Sequence, residues 1–204
     1  IGAEGQILVV FETLAAQGCS AGDWTQVTVA AGFDPARVRR ASFLGRVAIG
    51  RLAGDVRHPD GLDKPSCIEN AVIADCAIGD GCRIANIGVH LAGYDIGAGA
   101  CVEDVGLMQT RPGSTFGNGV EVDVLNEAGG RGVLLFDELS AQFAYLMCLH
   151  RHRPAVVERL AAIARARAGA ARADRGSVGA GAYVASVREI ADVRIGPAAI
   201  VTGA

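Results

Sequence analysis

The sequence predicts a mainly β fold. Short strands wind into stacked three-strand coils, with an N-terminal helix before them and a two-helix hairpin inserted among them. A recurring phrase carries this prediction. It reads Ile78-Gly-Asp-Gly-Cys-Arg-Ile84, Ile96-Gly-Ala-Gly-Ala-Cys-Val102, Phe116-Gly-Asn-Gly-Val-Glu-Val122 and Val178-Gly-Ala-Gly-Ala-Tyr-Val184, with a degraded copy at Ile195-Gly-Pro-Ala-Ala-Ile-Val201. The spacing is the second observation: Val72, Ile78, Ile84, His90, Ile96, Val102 and Met108 are all six apart, so Ile78 to Ile96 is three hexads. Composition is the third. With 28 Gly and 5% aromatic residues, the chain suits narrow stacked coils better than a core of large rings.

Each hexad supplies one short strand, and coils stack at strand spacing, about 4.8 Å. The aliphatic residue points inward onto its counterpart one coil below. Four residues on, a small residue (Cys76, Cys82, Gly88, Ala100, Gly106) lets the backbone bend at a corner. Coiling removes lateral strand edges and leaves two ends to be capped.

Residues 1–42 read as a helix and cap region. Ile7, Leu8, Phe11, Leu14 and Ala15 share one face of a helix from Glu4 to Gln17, which Gly18 stops. Trp24 to Val29 reads as a short strand and Gly32-Phe-Asp-Pro35 as a turn. Coils are expected over 43–204. Ile49-Gly50 opens the first, and the polar stretch His58 to Ser66 forms a loop that carries the surplus before Ile78. A shorter loop at Arg111-Pro-Gly-Ser114 absorbs two extra residues before Phe116. The long interval from Phe116 to Val178 implies an excursion, placed at about 127–174. Asp137 is its N-cap, and Leu139, Phe143, Leu146, Met147 and His150 line one helix face. Pro154 opens a second helix. Val178 to Ile195 is one residue short of a coil, so the frame slips, near Ala191.

A net charge of −3 argues for neither nucleic acid nor an anionic membrane surface as partner. No apolar run reaches the roughly 20 residues a membrane span needs. The start lacks a basic, cleavable leader, and the last residues stop partway through a coil, so a section of a longer cytoplasmic protein is expected. The six cysteines (Cys19, Cys67, Cys76, Cys82, Cys101, Cys148) form no CxxC pair and no Cys/His set with zinc spacing, and they read as free thiols with no metal site. Gly97-Ala-Gly99 lacks the third glycine of a dinucleotide fingerprint.

Candidate chemistry falls where the rhythm breaks. In strict register His90 points inward between Val72 and Met108; if Gly88 to Gly93 bulges, it reaches the surface, where an imidazole can act as a general base. The stretch Glu121 to Arg131 brings together Asp123, Asn126, Glu127 and Arg131, able to orient a polar or anionic substrate, or simply to fix the hairpin. Glu103-Asp104 either extends that acidic patch or is solvated. His150-Arg-His-Arg153 ends a helix in the position cations favour.

These hexads resemble the left-handed parallel β-helix, or hexapeptide-repeat, superfamily, over roughly Phe43 to Thr202. The handedness comes from that resemblance. It implies acyl transfer from coenzyme A or an acyl carrier protein to a sugar or sugar nucleotide, often in homotrimers, with His90 as base and Asp123, Asn126, Glu127 and Arg131 at the acceptor. The superfamily's zinc-binding branch uses paired interfacial histidines, and His90 has no neighbouring His at coil spacing. More narrowly, Gln17-Gly-Cys-Ser-Ala-Gly-Asp-Trp24, Val124-Leu-Asn-Glu-Ala-Gly-Gly-Arg131 and Leu139-Ser-Ala-Gln142 are similar to a bacterial family of longer β-helix proteins without an assigned activity. The rival reading is non-enzymatic: a ligand-binding or oligomerisation scaffold.

Overall fold

A computed structural model describes residues 3–123 and 132–203, and in the first helix the side chains from residue 10 on. The chain divides into two compact units, Ile1–Arg111 with Arg175–Ala204, and Pro112–Asp174.

The first unit is mainly β, built of parallel strands two to eight residues long. The chain visits three stacks in rotation. Inward residues of the first stack are Val38, Ile68, Ile84, Val102, Val184 and Val201, each paired with the next. The second stack holds Phe43, Ile73, Leu91, Met108 and Ile190. The third holds Val29, Ile49, Ile78, Ile96, Val178 and Ile195. Together they form one continuous apolar core. Helix α1 (Ala3–Ala16) adds Leu14 and Phe11 to that core; Phe11 packs on Trp24, and Trp24 on Phe43. Trp24 itself begins a 3-10 turn, and the strand that follows is confined to Val27–Val29.

Corners set the length of each winding. The step from the first stack to the second varies: Ile68 leads to Ile73, but Ile84 leads to Leu91, two residues longer. The strict hexad therefore fails at that corner. Ile73 and Leu91 take the inward places expected of Val72 and His90. In the shortened winding before Ile195, Val184 to Ile190 keeps six residues, whereas Ile190 to Ile195 has five, so the hexad frame slips beside Ala191 as expected. The corners from the first stack to the second turn through left-handed backbone at Asn70, Asn86 and Asp104 (φ +51°, +55°, +54°). Asn70 donates to Asn86, and Asn86 to Asp104, at 2.8 and 2.9 Å, a side-chain ladder down the corner. Asn and Asp tolerate this conformation because their short polar groups bond locally.

The third stack needs glycine for a different reason. A Cβ on Gly97 would lie 2.5 Å from the Ala180 nitrogen of the next winding. The small residues Cys76, Cys82, Ala100 and Ala182 are buried at the turns.

The phrase at Phe116 belongs to no winding. Ile96 pairs directly with Val178, so the excursion begins soon after the strand Leu107–Gln109, and Pro112-Gly-Ser114 is its first stretch. Phe116 has φ +53°, and Val122 pairs antiparallel with Val133. Aliphatic-Gly-x-Gly is a sound turn phrase in any setting, which is why it misleads here.

The second unit contains that antiparallel pair (Glu121–Asp123 with Gly132–Leu134) and two helices, α2 (Ala141–Leu149) and α3 (Pro154–Ala170). Val133, Met147 and Ala161 form its core, with Leu139, Phe143 and Leu160 against them. Ser140, not Asp137, caps α2 by accepting from the Phe143 N–H. Asp137 instead exchanges hydrogen bonds with the Asn118 side-chain amide. Among the described residues no helix is long and apolar enough to cross a membrane.

Candidate functional site

Strand alternation builds the site. Val102 points inward, so its neighbours Cys101 and Glu103 point out of the first stack. Cys101 sits between Arg83 and Tyr183 on the adjoining strands. Residues at such positions normally meet water. Here a second excursion covers them. The segment expected to be a loop is an antiparallel hairpin, Asp55–Arg57 with Asp63–Pro65, whose base is held by Arg37 donating to the Gly54 and Ser66 carbonyls. His58 stands at its turn, where its N–H donates to the Leu62 carbonyl.

The hairpin seals a polar cluster against the stack. His58, Cys101 and Glu103 are 3%, 1% and 4% exposed. The imidazole lies between the other two: Nε2 is 3.7 Å from Cys101 Sγ, and Nδ1 is 3.4 Å from Glu103 Oε1. Lys64 Nζ donates to Glu103 Oε1 at 2.9 Å, Arg83 Nε donates to Oε2 at 3.1 Å, and Tyr183 Oη donates to Oε1 at 3.3 Å. The Tyr183 ring meets His58 edge-on at 5.0 Å.

Burial pushes the Glu103 carboxyl up, but Lys64, Arg83 and His58 outweigh it and hold the group below its ordinary value. Burial first, then the Glu103 charge, pushes the Cys101 thiol up to about 12. Cys101 is therefore a thiol at rest, needing a base to become a nucleophile. Cys76 and Cys82, pushed up to about 11 by burial, face backbone carbonyls instead. Among the described residues, Cys101 is the one thiol beside an imidazole.

Potential metal-ligating atoms of His58, Cys101 and Glu103 lie within 4.8 Å of one another. Their directions suit a proton relay better than a cation. Thiol and carboxylate face opposite ring nitrogens, and two cations already occupy the carboxylate. The order carboxylate, imidazole, thiol is that of an oriented base and its nucleophile.

The residues singled out from sequence lie elsewhere. His90 is half-buried on the second stack, with Nε2 3.2 Å from the Gln109 side-chain oxygen. Among the described residues it points neither into the core nor at a carboxylate. Asp123 is exposed on the antiparallel pair of the second unit. Asn126, Glu127 and Arg131 lie outside the described residues. Glu103 is no solvated residue but the hub of the cluster, whereas Asp104 is exposed at the corner. His150 caps α2 beside His152. A separate groove of about 450 Å³ runs over the third stack, between Gln26, Arg46, Ala77 and the Asp95–Arg175 pair. It lies on a different stack from the relay.

His58 was hidden by its place in a polar, Pro- and Gly-containing stretch. The available signal was Cys101-Val-Glu103 itself, where alternation about an inward Val102 forces a thiol and a carboxylate out of one side of a strand.

A mainly β domain of parallel windings, carrying a buried thiol–imidazole–carboxylate cluster under a hairpin, defines the class. Over residues 9–204 the sequence matches the family model described as a domain of unknown function, DUF4954. The chain belongs to that family. It is also similar to a Treponema pallidum (strain Nichols) protein named only "Uncharacterized protein", 28% identical over 203 residues. That alignment covers 94% of this chain and 28% of the relative, so the chain spans little more than a quarter of that protein's length. No solved structure matches.

Proposed function

We propose that the windings form a left-handed parallel β-helix and that the protein transfers acyl groups, with His58 as general base. The donor is a thioester of coenzyme A or an acyl carrier protein, and the acceptor a hydroxyl or amine of a sugar or sugar nucleotide. The single observation that carries this reading is the His58 imidazole held by the Glu103 carboxylate through one nitrogen, with the other turned toward the Cys101 thiol. Short windings with left-handed corners and long surface excursions agree with the helix. His58 is preferred to His90 as base because, among the described residues, His90 has an amide partner and no carboxylate to orient it or stabilise its cation. Trimeric association is part of the same proposal.

The test is turnover by the full-length protein, with a panel of acyl-coenzyme A donors and sugar-nucleotide acceptors. A general base contributes about 10²- to 10⁴-fold. His58→Ala should therefore lose at least about a hundredfold, and His90→Ala should lose little. Turnover that survives His58→Ala refutes the assignment.

A second reading rests on the sealing of the cluster. There, Glu103 and its cations are a clasp that fixes the hairpin to a non-enzymatic scaffold. Full stability loss in His58→Ala together with no turnover in the parent protein would favour it.

A further inference from the structure

We propose that Cys101 is a catalytic nucleophile and that the transfer runs in two steps through an acyl-thioester on its Sγ. This rests on the acyl-transfer reading above and names its intermediate. Cys101 occupies an outward position of its strand that is nonetheless buried, and its sulfur faces His58 Nε2 at 3.7 Å. The other nitrogen is oriented by Glu103, and Glu103 is itself held by Lys64, Arg83 and Tyr183. Two layers of support for one imidazole exceed what filling a hairpin interior requires.

The chemistry balances with no outside oxidant or reductant. His58 Nε2 takes the Cys101 S–H proton, and the sulfur attacks the donor's thioester carbonyl carbon. The tetrahedral adduct breaks its bond to the donor sulfur, which leaves as a thiol carrying the proton from His58. The acceptor O–H or N–H then gives its proton to Nε2 as its heteroatom attacks the acyl carbon. The bond to Cys101 breaks, and His58 returns the proton to the thiolate.

Access runs past Tyr183. Its Cα pairs directly with that of Cys101, and its half-buried ring stands edge-on to His58. Rotation of that one side chain would open a path to the sulfur from the neighbouring strand. Lifting the hairpin would instead carry His58 away from Cys101. Tyr183 thus acts as a gate, through its position and not through the chemistry.

The experiment mixes full-length protein with acetyl-, hexanoyl- and lauroyl-coenzyme A without acceptor, quenches in acid and measures intact mass. One acyl group should appear on the peptide containing Cys101, be released by neutral hydroxylamine and be absent from Cys101→Ala. Cys101→Ala and Cys101→Ser should each lose at least a hundredfold in turnover while keeping the parent's thermal unfolding. Tyr183→Ala should raise the rate of Cys101 alkylation by iodoacetamide at least tenfold; an unchanged rate overturns the gate. Parent-like turnover in Cys101→Ala, with His58→Ala inactive, overturns the nucleophile and leaves single-step transfer standing. No turnover and no adduct with any donor overturns both.

Discussion

Among single side chains, Glu103 is the most consequential. Removing one partner from a buried ionic cluster costs about 3–5 kcal/mol, because the remaining charges stay buried without compensation. Glu103→Gln leaves Arg83, a largely buried cation, facing an amide, so a loss of about 3 kcal/mol is expected in urea unfolding. The pH dependence has a definite sign. The carboxyl lies lower in the folded protein than its ordinary value of 4.5, so its contribution is complete above that value and is lost as pH falls through the folded pKa. Stability measured from pH 7 to pH 3 should fall more steeply in the parent than in Glu103→Gln. Glycine supplies a second comparison. Gly99 has φ +68° with open space around it, whereas a Cβ on Gly97 strikes the backbone of the next winding. Gly99→Ala should cost about 1–2 kcal/mol, the left-handed penalty alone. Gly97→Ala should cost more, since two strands must separate.

Among elements, the 55–65 hairpin converts an outer strand surface into an interior. It contributes His58 and Lys64, and its base is pinned by Arg37. Replacing residues 55–65 with a short Gly-Ser link should leave the windings folded, because every inward residue of the three stacks lies outside the hairpin. In that variant Cys101 should react promptly with a thiol reagent while Cys76 and Cys82 stay protected at their buried corners. Peptide mapping after a brief iodoacetamide pulse reads the difference. Equal protection of all three would mean that other residues seal the cluster. The corner ladder Asn70–Asn86–Asp104 shows a related economy: one conformation repeats where the step length varies, so the turn stays constant while residues 86–90 absorb the extra length.

For the whole molecule, the decisive feature is that the windings close across the second unit. Ile96 pairs with Val178 and Met108 stacks with Ile190, although more than 80 residues separate each pair. The Pro112–Asp174 unit has its own core and its own end-to-end contacts, including the Ser114–Ala173 bridge and the Gly113 N–H bonded to Asp174. Its excision, with a short flexible link from Arg111 to Arg175, should leave a cooperatively unfolding first unit. Circular dichroism should show retained β signal, lost helical signal and one melting transition. Loss of that transition would mean that the windings depend on the second unit.

The recurring phrase was enough to read parallel windings, inward aliphatics, corner residues and a helical excursion, because each follows from local spacing and side-chain size. Its phase was not readable in the same way. Phe116-Gly-Asn-Gly obeys the local rule and sits in another unit; Val72 and His90 obey the hexad and yield their places to Ile73 and Leu91. Local rules do not count the residues a corner absorbs; pairing with the winding above and below does. The same reason hid the candidate site. Cys101 and Glu103 are two residues apart, but His58 and Lys64 reach them from some forty residues away, through a hairpin whose destination only tertiary packing decides. Alternation about Val102 chose which side of the strand the thiol and the carboxylate occupy. Folding the hairpin over them removed their water and made them partners.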